Sequence, residues 1–439
     1  MSAAELAGHD LDEAAVAARI GVMLEELAAL TEPGPGVTRL AYTPTERRAH
    51  DLVASWLREA GLTVSVDAAG NTIAELAGTE PGLPAIGTGS HLDSVRSGGR
   101  FDGIAGVVAA VEVVRALADS GTPLRHPVRV VAFAAEEGAR FGQSCIGSKA
   151  VAGLLDEEQV AGLRDADGIS LADAMISVGL APSRLREARW QPEDWAAFLE
   201  LHVEQGAILG EQGLPIGIVD LVSGSTRLLI ECRGRATHSG STPMAGRADA
   251  LAAAAEIILD AEAIAHDPRH HGTRCTVGRL EVLPGSTTTI PGLTRLTLDV
   301  RDVDSDRQRD TATELARRAQ VACDRRGVGV SFTLIGDASP VVLPVWVRQA
   351  VSEACAETGA RYRVMSSGAS HDCQMVNHVV PAGLLFVPSR GGLSHVPEEW
   401  TSTTDLAYGA GVLLGALRRI DRTLSSLADV AGDSEAATP

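Results

Sequence analysis

The segment Arg129-Val-Val-Ala-Phe-Ala-Ala-Glu-Glu constrains the fold of this chain more than any other. Its apolar part shows no alternation of period two, so a strand made from it must be covered on both faces. A mostly parallel sheet flanked by helices meets that condition. The surroundings agree: from Val37 to Ile218 short β-rich runs such as Thr63–Val66 and Pro84–Gly89 alternate with longer helical ones such as Ala49–Glu59. That alternation predicts an α/β fold. Ligands of open α/β sheets collect at the carboxyl ends of the strands, so Glu136 and Glu137, placed where the run ends, carry functional weight.

The length of 439 residues predicts about two domains, or one with an insertion. Between Val219 and Leu334 the texture changes. Strands over Arg227–Arg233, Arg274–Val282 and Leu293–Val300 alternate with helices over Arg247–His266 and Ser305–Arg325. The order strand, helix, two strands, helix, strand predicts a small ferredoxin-like α+β unit at 219–334, inserted into a domain formed by 1–218 and 335–439. Helices over Pro344–Thr358 and Thr404–Leu424 then flank a strand at Gly383–Val387, and the tail from Ala428 is expected to fray.

Charge and hydropathy exclude several classes of function. A net charge of −19 repels a phosphate backbone and an anionic membrane surface alike, so neither nucleic acid nor membrane is an expected partner. The N-terminus carries acids where a secretion signal needs a basic end followed by an apolar run. Glu112 and Arg115 interrupt even the richest apolar segment, Gly106–Leu117, well short of the roughly 18 residues of a membrane span. The six cysteines are scattered without a Cys-x-x-Cys pair, which predicts free thiols and a cytoplasmic protein.

Four polar clusters stand out. In Gly87-Thr-Gly-Ser-His-Leu-Asp-Ser-Val-Arg-Ser-Gly-Gly-Arg-Phe-Asp-Gly, His91 ends a strand and Asp102 stands just before an apolar helix. Singly, Asp102 reads as a helix N-cap and His91 as a loop histidine. Glu136 and Glu137 form the second cluster, opposed at a buried strand end by mutual repulsion and desolvation. A divalent cation on one carboxylate, with the other placed as a base for water, offsets both; the alternative has both acids in solvent near Arg140. The third and fourth clusters, Phe198-Leu-Glu-Leu-His and Phe386-Val-Pro-Ser-Arg-Gly-Gly-Leu-Ser-His, again end apolar runs at histidines, His202 and His395. Three histidines and two carboxylates so placed suit two zinc-class ions about 3.5–4 Å apart, bridged by one carboxylate. His9, His50, His126, His266, His270, His271 and His378 have no partner motif and read as surface or loop residues.

Taken together, Gly-Ser-His-Leu-Asp-Ser-Val-x-x-Gly-Gly-x-Phe-Asp-Gly, Glu-Glu-Gly-x-Arg-Phe and His-x-Glu-Gln-Gly are highly specific. Over about Arg39 to Leu424 the chain resembles the N-carbamoyl-L-amino-acid hydrolase and allantoate amidohydrolase family. This is the amidase branch of the superfamily that includes aminoacylase and the carboxypeptidase-like zinc exopeptidases. The short step from His91 to Asp102 is a feature of this branch, which ranks a peptidase lower. The resemblance implies a zinc-exopeptidase-like mixed sheet flanked by helices, with the insertion as a lid and dimerisation domain. It implies two divalent ions per subunit, zinc first, with manganese, cobalt or nickel as alternatives. One ion would lie on His91, Asp102 and His202, the other on Asp102, Glu137 and His395, with Glu136 as general base.

The same resemblance assigns His238 as donor to the developing oxyanion and Arg301 as a fork for a substrate carboxylate. Gln205, Thr288, Gly368 and His371, with Asp372, would line the pocket. Thr288 departs from the usual Asn, and a hydroxyl cannot donate and accept through two separate atoms as an amide can. Cys145 and Cys373 lack an adjacent activating pair, so a thiol nucleophile is not expected. The expected reaction is cleavage of the carbamoyl C–N bond of an N-carbamoyl-L-amino acid by a cytoplasmic homodimer. Allantoate hydrolysis comes next, followed by aminoacylase or dipeptidase activity, with a non-catalytic binding protein disfavoured because every ligand is intact.

Overall fold

The computed structural model describes residues 11–436. The reading of the first residues as lacking a secretion signal falls outside that range, as do residues 437–439 of the tail. The described residues form thirteen strands: β1 (Thr63–Val66), β2 (Thr72–Leu76), β3 (Ala85–His91), β4 (Val128–Phe133), β5 (Trp195–Val203), β6 (Ile216–Val222), β7 (Gly224–Arg233), β8 (Arg274–Leu283), β9 (Leu293–Asp302), β10 (Gly329–Ala338), β11 (Val341–Val342), β12 (Tyr362–Ser367) and β13 (Ala382–Val387). The apolar run that ends at Glu136 and Glu137 makes β4, an interior strand of a mixed sheet ordered β1-β2-β4-β3-β5-β13-β6-β11, with β12 on β6.

The centre of this sheet is parallel: β3 pairs in parallel with β4 and β5, and β13 with β5. β2 and β6 flank these strands in antiparallel pairing. Every residue of β3 and of β13 is buried, as expected for strands covered on both faces. Helices Glu13–Ala29, Ile104–Asp119, Val345–Thr358 and Thr403–Ala436 build the main core with the sheet, through residues such as Ile20, Val107, Val351 and Leu413. The last helix runs past Leu424, so the segment expected to fray from Ala428 is helical as far as Ala436. Helix Ile104–Asp119 lies hard against β5: a Cβ on Gly106 would stand 2.1 Å from the Leu201 carbonyl oxygen. That approach brings the residues before the helix close to the end of β5. No helix among the described residues is long and apolar enough to cross a membrane.

Contacts divide the chain into one unit made of 1–220 and 342–439 and a second at Leu221–Val341. The boundary read at Leu334 falls inside β10, which continues to Ala338. Within the second unit the sheet order is β10-β7-β9-β8, antiparallel throughout, with helices Ala250–Ala265 and Ser305–Arg325 packed on it. This is the ferredoxin-like order. β9 alternates strictly between buried and half-buried residues, the pattern of a sheet with one face on a core.

Candidate metal centre

Parallel strands release their carboxyl ends on one edge, and the polar clusters follow from that edge. His91 is the last residue of β3 and lies opposite Phe133, the last of β4; three residues beyond Phe133 comes Glu136. On β5, His202 lies opposite Phe386 of β13, whose chain then leads to His395. Asp102 arrives from the loop before helix Ile104–Asp119. It is not the N-cap: Gly103 takes that position with φ 68°, and no side chain caps the helix. Glycine is required there, because a Cβ would lie 2.4 Å from the His91 ring.

Asp102 is the hub. His202 Nε2 lies 3.1 Å and His91 Nε2 3.5 Å from its Oδ1, and His395 Nε2 lies 3.2 Å from its Oδ2. His395 Nε2 is also 3.2 Å from Glu137 Oε2. The donor atoms of His91, Asp102 and His202 all fall within 4.8 Å of one another, and so do those of Asp102, Glu137 and His395. A third such group, Glu200, His202 and His371, differs in character. The Glu200 oxygens already accept the Ser90 hydroxyl at 2.7 Å and the Cys373 N–H at 2.8 Å.

The donor set calls for a cation. His202 Nδ1 faces only the Val203 carbonyl, at 2.8 Å, so it carries the proton; Nε2, which receives the Gly103 N–H at 3.2 Å, presents a lone pair. The same Nε2 stands 3.1 Å from a carboxylate oxygen of Asp102, a pairing that needs a proton or a cation between the two atoms; burial works against a charged His202, but Asp102 outweighs it and raises the imidazole. Glu137 Oε1 is buried with no hydrogen-bond partner. Burial works against a charged His395, yet Asp102 and Glu137 outweigh it and lift the imidazole to about 11. Burial would likewise raise Asp102, but the three imidazoles hold it well below the usual carboxylate range. Residues of this type, closely grouped and short of positive charge, fit divalent zinc-class ions.

Glu136 and Glu137 do not reach into solvent, and Arg140 instead pairs with Asp165 and the carbonyls of Ala41 and Tyr42. Burial, opposed by the His91 charge and reinforced by Glu137, pushes Glu136 up to about 7, where a carboxyl group exchanges protons readily near neutrality. Its Oε1 accepts the Cys145 thiol at 3.0 Å. Three of the few non-glycine residues with left-handed backbone sit here: Ala135 (φ 59°), Gln205 (φ 57°) and His395 (φ 61°). Such conformations cluster where a site over-determines its backbone.

Gln205 reaches Asp102 itself, donating to Oδ2 at 2.7 Å alongside Ser394 Oγ at 2.9 Å. His371 is buried, bonded to Ser367 Oγ at 2.8 Å and set edge-on to the His202 ring, while Gly368 lies in the half-buried loop between. His238, Thr288 and Arg301 belong to the Leu221–Val341 unit. There the Thr288 carbonyl accepts the Ser239 N–H at 2.8 Å, which brings His238 and Thr288 side by side. His238 Nδ1 accepts the N–H groups of Gly240 and Ser241, at 3.0 and 3.1 Å, so its proton sits on the exposed Nε2. Arg301 pairs with Asp299 at 2.9 Å.

Two supporting residues escaped the sequence reading. Asp93 lies 3.4 Å from His91 Nδ1 and accepts the N–H groups of Glu136 and Glu137 at 2.7 and 3.1 Å, so one carboxylate orients a histidine and the acidic pair. Its only signal was the His91-x-Asp93 spacing. Glu399 accepts the N–H groups of Phe101 and Asp102 at 2.9 and 3.0 Å. His50 and His126, read as surface or loop residues, are buried, with Nδ1 bonded to Thr72 Oγ1 at 2.9 Å and the Pro84 carbonyl at 2.7 Å respectively.

Residues 87–419 match the peptidase family M20/M25/M40. An N-carbamoyl-L-amino acid amidohydrolase of Geobacillus stearothermophilus is 45% identical over 383 residues, 87% of this chain and 93% of the relative. An allantoate amidohydrolase of Escherichia coli K12 is 36% identical over 387 residues, covering 87% and 92%. The solved structure of AtUAH in complex with (S)-hydroxyglycine superposes with a TM-score of 0.88 at 34% identity, over 92% of this chain and 97% of that one.

Proposed function

The chain belongs to the peptidase family M20/M25/M40 and is an amidohydrolase of C–N bonds other than peptide bonds, and from that premise we propose that it hydrolyses N-carbamoyl-L-amino acids. The products are the free amino acid, carbon dioxide and ammonia, with one water consumed for each carbamoyl group. We assign two divalent ions to it, one on His91, Asp102 and His202 and one on Asp102, Glu137 and His395. The observation that carries this assignment is the convergence of three imidazoles on Asp102, with Nε2 of His202, His395 and His91 at 3.1, 3.2 and 3.5 Å and Glu137 beside His395 at 3.2 Å. When bound, the two ions polarise the attacked carbonyl and make water a better nucleophile.

Glu136 takes a proton from the attacking water and returns it to the leaving nitrogen, a role suited to a carboxyl group near 7. Asp93 holds Glu136 and Glu137 through their backbone, and Gln205 and Ser394 hold Asp102. In the proposed dimer the inserted unit lends its groups to the neighbouring subunit's site, His238 offering Nε2–H to the oxygen that gains charge and Arg301 taking the substrate carboxylate through its planar fork. Thr288, Gly368 and His371 complete the substrate side of the assignment. The working enzyme is a cytoplasmic homodimer. Allantoate is the second reading, supported by the 36% identity to an allantoate amidohydrolase, while Thr288, in place of the Asn usual in the family, bears on the ligand without choosing between the two.

Turnover of a panel of N-carbamoyl-L-amino acids, allantoate and N-acetyl amino acids, with ammonia and free amine measured separately, tests this. Equal yields of ammonia and amino acid from the carbamoyl compounds are expected. Faster turnover of allantoate moves the assignment to the second reading, and hydrolysis of N-acetyl amino acids alone contradicts both.

A further inference from the structure

The turn that carries Glu136 hands four successive backbone N–H groups to side chains of other elements. Ala134 donates to Asn71 Oδ1 at 3.0 Å, Ala135 to Glu46 Oε1 at 3.0 Å, and Glu136 and Glu137 to Asp93 at 2.7 and 3.1 Å. Ala135 is the strained member, with φ 59° in a region where an L side chain crowds its own backbone. Its conformation sets the direction in which the next residue, Glu136, leaves the chain. The N–H of that strained residue goes to Glu46.

Glu46 is buried in the first turn of helix Pro44–Glu59, and its other oxygen accepts the Tyr42 N–H. The segment around it is tied to the same region independently: Arg140 Nη1, just past the turn, donates to the carbonyls of Ala41 and Tyr42 at 2.8 and 2.9 Å, and Arg39 Nε donates to the carbonyl of Leu92, next to His91, at 2.6 Å. Arg39, Tyr42 and Glu46 precede residue 87, where the family match begins. We infer that Glu46 is a positioning residue for Glu136, holding Ala135 in the left-handed conformation that aims the Glu136 carboxylate. The inference rests on the reading of Glu136 as the base.

Glu46→Ala and Glu46→Gln test it, the second keeping the bulk of the side chain but only one acceptor oxygen. Misaiming a catalytic group costs up to about 100-fold, so kcat is expected to fall by roughly 10- to 100-fold in Glu46→Ala, and by less in Glu46→Gln. KM and metal content should stay near those of the parent, which a general loss of structure would not permit. Adding Ala135→Gly, which removes the Cβ crowding at positive φ, should restore part of the lost kcat. Amide exchange over residues 133–137, read by mass spectrometry, should quicken in both single variants. A folded Glu46→Ala protein with parental kcat, parallel loss of kcat and metal, no recovery in the double variant, or unchanged exchange overturns the inference. The exchange result stands apart from turnover, so a parent protein inactive on the whole panel, yet showing the exchange change, would count against the proposed function and not against the contact.

Discussion

Asp102→Ala is expected to yield a folded protein with neither metal ion and no measurable hydrolysis. The side chain touches all three imidazoles, at 3.1, 3.2 and 3.5 Å, and is the one group common to both donor sets. Alanine leaves each set one anionic ligand poorer and releases Gln205 and Ser394, which Asp102 holds at 2.7 and 2.9 Å. The deficit in turnover should exceed the roughly 10²- to 10⁴-fold attributable to a general base alone, because binding and activation of water fail together. Folding should survive, since helix Ile104–Asp119 is capped at Gly103 and packs through its apolar face. Elemental analysis beside a thermal melt checks this, and retention of two ions per chain would show that Asp102 is no bridge.

Glu136→Gln is expected to separate chemistry from metal binding. Glutamine fills the same space and still accepts the Cys145 thiol, but it cannot take a proton from water. Metal content and melting temperature should hold while kcat drops by about 10²- to 10⁴-fold with little change in KM. Glu137→Gln should do the opposite. Its Oε2 faces His395 Nε2 at 3.2 Å and its Oε1 is buried without a partner, so a neutral amide removes a charge that the second ion needs. Metal loss in both variants to the same degree would mean the two roles have been misassigned.

Much of this centre is legible in the amino-acid sequence. His91, Glu137, His202 and His395 each follow an apolar run, and runs without alternation form parallel strands whose ends converge, so their meeting followed from pattern and topology. The residues that hold them were not. Asp93 is a single acid inside a polar loop, indistinguishable in pattern from a solvated one. Glu46 stands three residues after Thr43, whose side chain accepts the Glu46 N–H at 3.2 Å, so its setting reads as an ordinary helix start. Only tertiary structure turns its carboxylate to Ala135. His50 and His126 fail for the same reason: a lone histidine carries no mark of burial, and their partners, Thr72 and Pro84, come from other segments. The inserted unit was read nearly element for element because β9 and helix Ser305–Arg325 keep strict two- and 3.6-residue patterns. Its end was misplaced inside β10, whose residues are mostly exposed and show no such period.

The central claim is that hydrolysis depends on two divalent ions held by His91, Asp102, Glu137, His202 and His395. The most direct measurement is metal content per chain together with turnover, before exhaustive chelation, after it, and after re-addition of zinc or manganese. Two ions per chain, activity lost with them and regained as they return are the predicted result. Full activity in protein stripped of metal would contradict it.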